Sequence, residues 1–270
     1  MKVAFISDIH INVSSAFPVL ETLLTVVKEH DADLLLIAGD ISENYAETIA
    51  AVNSLNKVVK TLYVPGNHDL WRVEGEDKSN VDIYHIYSSD SNCLVNNSIL
   101  IEDVVFIGDV GWYDYSLASK DYPLDELDKM SINGRTWQDK IKNSFTKDNV
   151  RVCEYMLNKL EAQLIKYESV KKKVVLTHML PIKEFCVPDS IQDWSYFNAF
   201  LGSIRFKELF DRYSVTLSVS GHVHYRKSTV INKTTYICPC LGYDREWKLT
   251  DVDENDVRAQ IEDAIIFYEL

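Results

Sequence analysis

Apolar runs alternate with amphipathic stretches along the first quarter of the chain. Residues 3–7, 34–38 and 61–64 are short apolar runs, which are typical of buried strands. After the first run, apolar residues recur at helical spacings: Phe17, Leu20, Leu23, Leu24 and Val27. Residues 45–60 are again helix-like. This β-α-β-α-β order predicts a parallel sheet that is covered by helices.

The middle of the chain has a different pattern. Residues 93–95, 99–101 and 104–107 are three short apolar runs, and polar pairs at 96–97 and 102–103 separate them. Closely spaced strands that are joined by tight turns predict an antiparallel meander.

Residues 120–173 have a mainly helical pattern. One amphipathic face consists of apolar side chains at helical spacing: Val150, Cys153, Leu157, Leu160, Leu164 and Tyr167. We interpret this stretch as a helix that packs on the domain, in preference to a coiled coil that binds a partner. Strand-like runs return in the last third of the chain, at 174–177, 215–219, 229–231, 235–238 and 264–268.

The length and the absence of a linker bear on domain organisation. A chain of 270 residues corresponds to one large domain or two small ones. No change of composition marks a linker, and no repeat has a fixed period. The sequence therefore predicts one α/β domain over residues 1–270, with a helical, lid-like insertion at about 112–173.

The charge balance argues against several classes of partner. The chain has 28 basic and 41 acidic residues, so its formal net charge is −13, and 46% of its residues are hydrophobic. This is an ordinary globular composition. A surplus of negative charge disfavours binding to a phosphate backbone and gives no attraction to anionic lipid. We therefore expect neither a nucleic-acid nor a membrane partner, and the oligomeric state is left open.

The cysteines and the N-terminal segment indicate a compartment. The five cysteines are scattered along the chain: Cys93, Cys153, Cys186, Cys238 and Cys240. An odd number at irregular spacing implies no disulfide framework. The first apolar run is too short for a signal peptide, and no window reaches the roughly 18 apolar residues of a membrane span. The sequence predicts a cytoplasmic protein with reduced thiols.

Polar residues that carry chemistry directly follow five of the apolar runs. These clusters contain histidine, aspartate or asparagine at the following positions: Asp8, His10, Asp40, Asn67, His68, His178, His222 and His224. In open α/β sheets, ligand sites form just beyond the carboxyl ends of the strands. The order of runs and clusters therefore predicts that these residues converge at one edge of the sheets.

The residue types in these clusters fit metal binding. Imidazole suits zinc and iron, whereas carboxylate suits harder ions such as manganese. Without His68, the clusters contain seven candidate ligands, which is more than one tetrahedral ion binds. Two ions that share one carboxylate would use all seven. Taken singly, such residues at strand ends usually form turns or caps, so only the ordered combination supports a metal site.

The ordered combination resembles the signature of one enzyme family. Residues 8–224 contain, in order, Asp-x-His, Gly-Asp, Gly-Asn-His-Asp, His and Gly-His-x-His, as do the calcineurin-like metallophosphoesterases. The resemblance implies a four-layer α/β/β/α sandwich, in which two mixed β-sheets pack face to face between helices. It also implies a metal-dependent hydrolase of phosphoric esters. Residues 111–116 resemble a bacterial-type, otherwise uncharacterised branch of the family, which names no substrate.

The resemblance implies a metal ligand set. The implied ligands of one ion are Asp8, His10, Asp40 and His224. The implied ligands of the other ion are Asp40, Asn67, His178 and His222. Asp40 would then bridge two divalent transition-metal ions, and a hydroxide between them would attack phosphorus. Manganese is the expected metal, with iron or zinc as alternatives.

Two further motif residues are implied to act without binding metal. His68 resembles the family's histidine beside the scissile phosphate, which donates a hydrogen bond or a proton to the leaving oxygen. Asp69 is expected to hold the imidazole of His68 in one tautomer.

Aromatic and arginine residues of the insertion are candidates for the substrate pocket. Trp112 and Tyr113 could stack on a substrate group, and Arg135 could meet a phosphate. Tyr115 and Trp137 are further stacking candidates. The alternative is that the aromatic residues pack in the core or in a lid.

The favoured function is hydrolysis of a small phosphodiester, with this phosphate ester as the only partner. The sequence has no long basic groove for a nucleic-acid strand, and a compact pocket suffices for a small diester. A phosphomonoesterase or protein phosphatase is the alternative. A nuclease is less favoured because the chain is acidic, and a non-catalytic scaffold on the same fold is less favoured because no motif residue is missing.

Overall fold

The strands and helices come from a computed structural model that describes residues 1–119, 122–143, 148–247 and 256–270. Its strands, in chain order, are β1 (Lys2–Ile6), β2 (Leu34–Ala38), β3 (Lys60–Val64), β4 (Ile99–Ile101), β5 (Val104–Asp109), β6 (Ser131–Ile132), β7 (Arg135–Thr136), β8 (Lys172–Thr177), β9 (Leu217–Val219), β10 (Arg226–Ile231), β11 (Thr234–Pro239) and β12 (Ile266–Glu269). Its α-helices are α1 (Val19–Glu29), α2 (Tyr45–Asn56), α3 (Asn80–Ser89), α4 (Leu124–Leu127), α5 (Asp139–Lys142), α6 (Asn149–Lys166), α7 (Trp194–Phe197), α8 (Ile204–Arg212) and α9 (Val257–Ala264).

Within these described ranges, no helix is both long enough and apolar enough to cross a membrane. Several helices begin at a side-chain cap. Ser79 and Asp82 form a reciprocal capping box at the start of α3, and Asn44 accepts two backbone N–H bonds at the start of α2. Local sequence therefore sets where these helices begin.

The strands form two mixed sheets. The first has the order β12-β1-β2-β3, in which only β12 runs antiparallel to its neighbour. The second has the order β10-β11-β9-β8-β5-β4, with antiparallel pairs at both edges and parallel strands in the middle. Parallel strands are covered on both faces, which explains the continuous apolar runs in the sequence.

Alternating side chains build a core on each face of the sheets. Val3 and Phe5 of β1 pack with Phe106 of β5 and Leu176 of β8 in a core between the two sheets. Ala4 points the opposite way, into a second core that the helices share. The two sheets thus pack face to face between helical layers, and the predicted four-layer α/β/β/α sandwich is confirmed.

The predicted meander is wrong at its first strand. Of the three runs predicted to form the meander, only the second and third, which are β4 and β5, form an antiparallel pair. Cys93 makes a single parallel bridge to Tyr63 of β3, and Val95 makes another to Gly108 of β5. Residues 93–95 are fully buried because they cross from one sheet to the other, so their apolar character reflects burial rather than a strand.

The insertion at about 112–173 has two structural parts, and its residues 120–121 and 144–147 lie outside the described ranges. The first part contains a β6-β7 hairpin, so the mainly helical prediction is wrong there. Asn133 and Gly134, both at positive φ, make its two-residue turn. The second part is α6, which packs on β5 and α8 and buries Leu157 and Leu160. This helix belongs to an outer layer of the sandwich.

Candidate functional site

Loops at the carboxyl ends of five parallel strands carry the chemically active side chains. The residues that follow these strands are Asp8 and His10 after β1, Asp40 after β2, Asn67 and His68 after β3, His178 after β8, and His222 and His224 after β9. Three of the strands belong to the first sheet and two to the second. Because the sheets pack face to face, these ends meet at one edge, where ligand crevices form in α/β folds.

The structure brings the predicted metal ligands together in two groups that share Asp40. In the first group, one donor atom of each residue lies within 4.8 Å of the others: Asp8, His10, Asp40 and His224. The second group, within the same limit, is Asp40, His178 and His222. Asn67 joins the second group, since its Oδ1 lies 3.1 Å from Nε2 of His178.

Hydrogen bonds orient two of the imidazoles toward the cluster. Nδ1 of His178 lies 2.9 Å from the carbonyl oxygen of Ala38 and can only donate to it. Nδ1 of His224 lies 2.6 Å from Oε2 of Glu246. In both rings the Nε2 atom then faces the cluster, and without a proton on Nε2 each ring has the tautomer that metal ligation needs.

The backbone is strained at most of these positions. Five of the seven predicted ligands adopt positive φ: Asp8 (55°), His10 (39°), Asp40 (55°), His222 (75°) and His224 (54°). Non-glycine residues are uncommon in this region, and such strain clusters at functional sites. The surrounding fold therefore holds these residues in place against their local preference.

Two glycines allow the carboxylates to approach the backbone. A Cβ at Gly66 would overlap with the carboxylate of Asp40, and a Cβ at Gly221 would overlap with Ser7 and Asp8. Backbone N–H groups of this region donate hydrogen bonds to these carboxylates. His68 N donates to Oδ1 of Asp40 over 2.9 Å.

Burial controls the protonation of the cluster. Burial lowers the pKa of both His10 and His222, so these imidazoles are neutral. Burial also opposes charge on His178, but the carboxylate of Asp40, 3.3 Å away, outweighs it and raises the pKa of His178 to about 10. A divalent cation bound next to Asp40 would take the place of that proton.

The donor set fits divalent transition metals. Neutral imidazoles, two carboxylates and one amide oxygen are ligands for manganese, iron or zinc. Among the described residues, Nδ1 of His10 and Nε2 of His222 are buried with no hydrogen-bond partner. Buried polar atoms are normally satisfied, so the unpartnered Nε2 of His222 supports a bound ion at this cluster.

His68 lies beside the cluster without belonging to either group. Its Nε2 is 3.9 Å from Oδ2 of Asp40, and its side chain is 11% exposed. Its Nδ1 faces Oε1 of Glu43 at 3.6 Å. Glu43 also pairs with Lys142 over 3.0 Å, and the neighbouring His68 and Lys142 lower the pKa of Glu43 to about 2.

The role expected for Asp69 is not supported by its contacts, since Glu43 rather than Asp69 faces the imidazole of His68. Asp69 is fully buried and accepts hydrogen bonds from the backbone N–H groups of Gly66, Ile41 and Ser42. It therefore ties together the loops after β2 and β3. Burial, with the nearby Asp40, raises the pKa of Asp69 to about 6.

A cavity of about 560 Å³ opens over the cluster. Its floor includes Asp40, Asn67, His68, His222 and His224. Its walls are largely aromatic, with Trp71, Trp137, Trp194, Tyr225 and Tyr243. Among the described residues, no lysine or arginine lines it. The cavity is thus a cleft with a metal-ligating floor and stacking walls.

Most residues of the predicted substrate pocket lie outside this cavity. Trp112 and Tyr113 are buried beneath the surface, at 1% and 0% exposure, and neither lines the cavity. Arg135 contacts the carbonyl oxygen of Gln192 and lies over the ring of Phe197, outside the cavity. Only Trp137 of the predicted aromatic group is in the wall. Core packing, the alternative considered for these residues, explains the burial of Trp112 and Tyr113.

Residues at the site that were not predicted from the sequence include Glu43, Asp139, Tyr243 and Glu246. The hydroxyl of Tyr243 lies 3.5 Å from Nε2 of His68, and its ring packs on His10 at 4.4 Å between centroids. Glu43 follows the Gly-Asp motif closely and could have been noticed as a nearby carboxylate. The other three lie in loops or short helices with no recognisable motif.

Comparisons with known proteins agree with this arrangement. The sequence model of the calcineurin-like phosphoesterases matches residues 1–226. The [acyl-carrier-protein] phosphodiesterase PptH of Mycobacterium tuberculosis is 22% identical over 269 residues, covering 90% of this chain and 78% of PptH.

Solved structures share the fold. The crystal structure of phosphopantetheinyl hydrolase PptH from Mycobacterium tuberculosis has a TM-score of 0.77 at 18% identity, covering 94% of this chain and 93% of that one. A dimetal phosphatase from Danio rerio has a TM-score of 0.51 at 14% identity, covering 88% of this chain and 86% of that one. Given the family match over most of its length, the chain belongs to the calcineurin-like phosphoesterases and is a metal-dependent hydrolase of phosphoric esters.

Proposed function

We propose that this protein is a dinuclear phosphodiesterase that hydrolyses small phosphodiesters. The observation that carries the proposal is the pair of ligand groups that share Asp40 on the floor of an aromatic cavity. Asp8, His10 and His224 would hold one ion with Asp40. Manganese is the proposed metal because both groups combine carboxylate with imidazole, and iron or zinc is the alternative.

The bound cations and the protein would divide the chemistry. When bound, the two ions supply a hydroxide at neutral pH and stabilise negative charge on the phosphoryl oxygens. Hydrolysis forms one phosphorus–oxygen bond and breaks the ester bond, whose oxygen leaves with the electron pair and takes a proton. His68 is the proposed donor of that proton, because it lines the cavity beside Asp40 and belongs to neither ligand group.

The cavity favours a diester with a neutral second group. Its volume leaves room beyond the floor, and Trp71, Trp137 and Trp194 offer faces on which that group can pack. The lining that the structure describes contains no lysine or arginine to hold a second phosphate. The similarity to PptH also supports a diester substrate, because PptH is named as a phosphodiesterase. A diester has an ester group on each side of the phosphorus.

The test of this proposal is a comparison of kcat/KM on bis-p-nitrophenyl phosphate and p-nitrophenyl phosphate at matched Mn²⁺. A preference for the diester is expected, because the walls can position its second aryl group. The panel should include 2′,3′- and 3′,5′-cyclic nucleotides. A strong preference for the monoester, or rapid degradation of single-stranded DNA, would contradict the diester assignment and leave the metal centre untouched.

A second experiment addresses the two ions directly. Elemental analysis should find two ions in the parent protein and at most one in Asn67→Ala, because Asn67 belongs to only one group. His85, which is exposed on α3, provides a matched control, and His85→Ala should retain two ions. Full activity with a single ion in the parent would contradict the bridging role of Asp40.

A further inference from the structure

One buried carboxylate at the site has three nitrogen donors and belongs to neither ligand group. Asp139, at the start of α5, is 2% exposed. Its Oδ1 accepts from Nδ2 of Asn67 over 2.9 Å and from Nε1 of Trp71 over 2.7 Å. Its Oδ2 accepts from Nε1 of Trp137 over 2.9 Å, and the hydroxyl of Tyr113 lies 3.4 Å away.

These contacts determine which way the amide of Asn67 points. An indole nitrogen and an amide nitrogen can only donate, so each of these contacts requires an acceptor at Asp139. With Nδ2 of Asn67 held by Asp139, Oδ1 is the amide atom that faces His178, 3.1 Å from its Nε2. A flipped amide would present Nδ2, which cannot bind a metal, to the cluster.

The same carboxylate joins the insertion to the cavity. Trp71 and Trp137 are two of its aromatic walls, and both indoles donate to Asp139. Trp71 follows the Asn-His-Asp motif, whereas Trp137 belongs to the insertion. One side chain therefore connects the orientation of a metal ligand with the position of two walls.

We propose that Asp139 is a positioning residue that fixes the amide oxygen of Asn67 toward the second ion and anchors Trp71 and Trp137 as cavity walls. This inference rests on the dinuclear site proposed above. It predicts that the insertion contributes to metal affinity through Asp139, although Asp139 itself binds no metal.

The test compares Asp139→Leu in two backgrounds by titration of metal-free protein with Mn²⁺. In the parent, the variant should raise the Kd of the site that contains Asn67 about 10–100-fold, the usual effect of losing a partner that orients a ligand. In Asn67→Asp, the same change should not raise Kd, because it removes a carboxylate that would otherwise face the introduced carboxylate with no donor between them. A carboxylate presents an oxygen whichever way it turns, so it needs no partner to orient it.

The control is Asp114→Ala, which removes a carboxylate that accepts from Ser116 and Ser203 outside the cavity. It should leave both Kd values unchanged in both backgrounds. If Asp139→Leu does not fold, Asp139→Ala gives the same comparison, because water can enter the smaller site and satisfy the donors. An equal loss of affinity in both backgrounds, or no loss in the parent, overturns the proposal.

A readout without metal tests the second half of the proposal. The chain has five tryptophans, so its ¹H–¹⁵N spectrum has five indole signals. In metal-free Asp139→Leu, the signals of Trp71 and Trp137 should shift, while that of Trp247, which donates to Gly242, should not. Unchanged signals for Trp71 and Trp137 would overturn the anchoring role. A parent that binds only one ion would instead contradict the dinuclear site.

Discussion

Asp40, Glu43 and Asp69 are three carboxylates of the loops near His68, and their partners give each a different role. Asp40 faces both ligand groups. Asp69 is fully buried and accepts hydrogen bonds from backbone N–H groups of the neighbouring loops. Glu43 is partly exposed, faces Nδ1 of the imidazole and is neutralised on its other side by Lys142. Position in the sequence does not separate these roles, whereas burial and partners do.

The first prediction at the residue scale concerns His68 itself. His68→Ala should keep both ions but lower kcat by about 10²–10⁴-fold, the usual contribution of a positioned acid. The loss should be smaller for nitrophenyl esters than for alkyl esters, because a good leaving group needs little protonation. Steady-state kinetics on both ester types measure this. An equal loss for both would rule out proton donation and leave only a phosphate-positioning role.

The second prediction concerns Glu43. Glu43→Gln should lower kcat on alkyl esters by about 10–100-fold, because the imidazole loses the carboxylate that faces its Nδ1 and orients the ring. Metal content should not change, since Glu43 is in neither ligand group. Glu74→Gln, at an exposed position, is the control. If Asp69→Asn reproduced this selective loss without lowering the melting temperature, Asp69 rather than Glu43 would be the partner of His68.

At the scale of elements, burial decides what the sequence reveals. Strands β1, β2, β3 and β8 are covered on both faces, so each is a continuous apolar run with a polar residue at its end. Helices α3 and α8 were not predicted, although α3 has a capping box and α8 buries Phe206, Leu209 and Phe210 at helical spacing. The β6-β7 hairpin is two residues per strand, too short for a periodic signal.

The third prediction belongs to α6, the longest helix that the structure describes. Leu160 is fully buried under this helix, so Leu160→Ala should lower the free energy of unfolding by about 2–5 kcal/mol. Val150 is on the same predicted face but is 36% exposed, so Val150→Ala should cost about 0.5 kcal/mol or less. Urea denaturation measures both. Equal losses of unfolding free energy in the two variants would mean that α6 does not pack as described. A lower metal content in Leu160→Ala would indicate that the packing of α6 also affects the metal site.

At the scale of the whole molecule, the site depends on side chains that are distant in sequence. Asp8 and His224 lie at opposite ends of the family match, yet their Oδ1 and Nε2 atoms are 3.5 Å apart. The order of strands and motifs was enough to predict this convergence. Asp139 and Tyr243 could not be predicted in the same way, because their approach depends on how the insertion and a late loop pack, which no local pattern encodes.

The fourth prediction is that metal binding stabilises the whole fold. Asp8 and Asp40 are buried carboxylates in one cluster, and a cation relieves their mutual repulsion. Saturation of one site at 100 times its Kd should add about 2.7 kcal/mol. Adding Mn²⁺ to chelator-treated protein should therefore raise its melting temperature, and Asp40→Ala should abolish most of the increase. An unchanged melting temperature in the parent would mean that the ligand groups do not bind the metal.

The most direct test of the dinuclear centre is an anomalous difference map from crystals grown with Mn²⁺, recorded above the manganese absorption edge. The account predicts two peaks on either side of the Asp40 carboxylate. One should lie among Asp8, His10 and His224, and the other among Asn67, His178 and His222. A single peak at full occupancy, or two peaks that do not share Asp40, would contradict it.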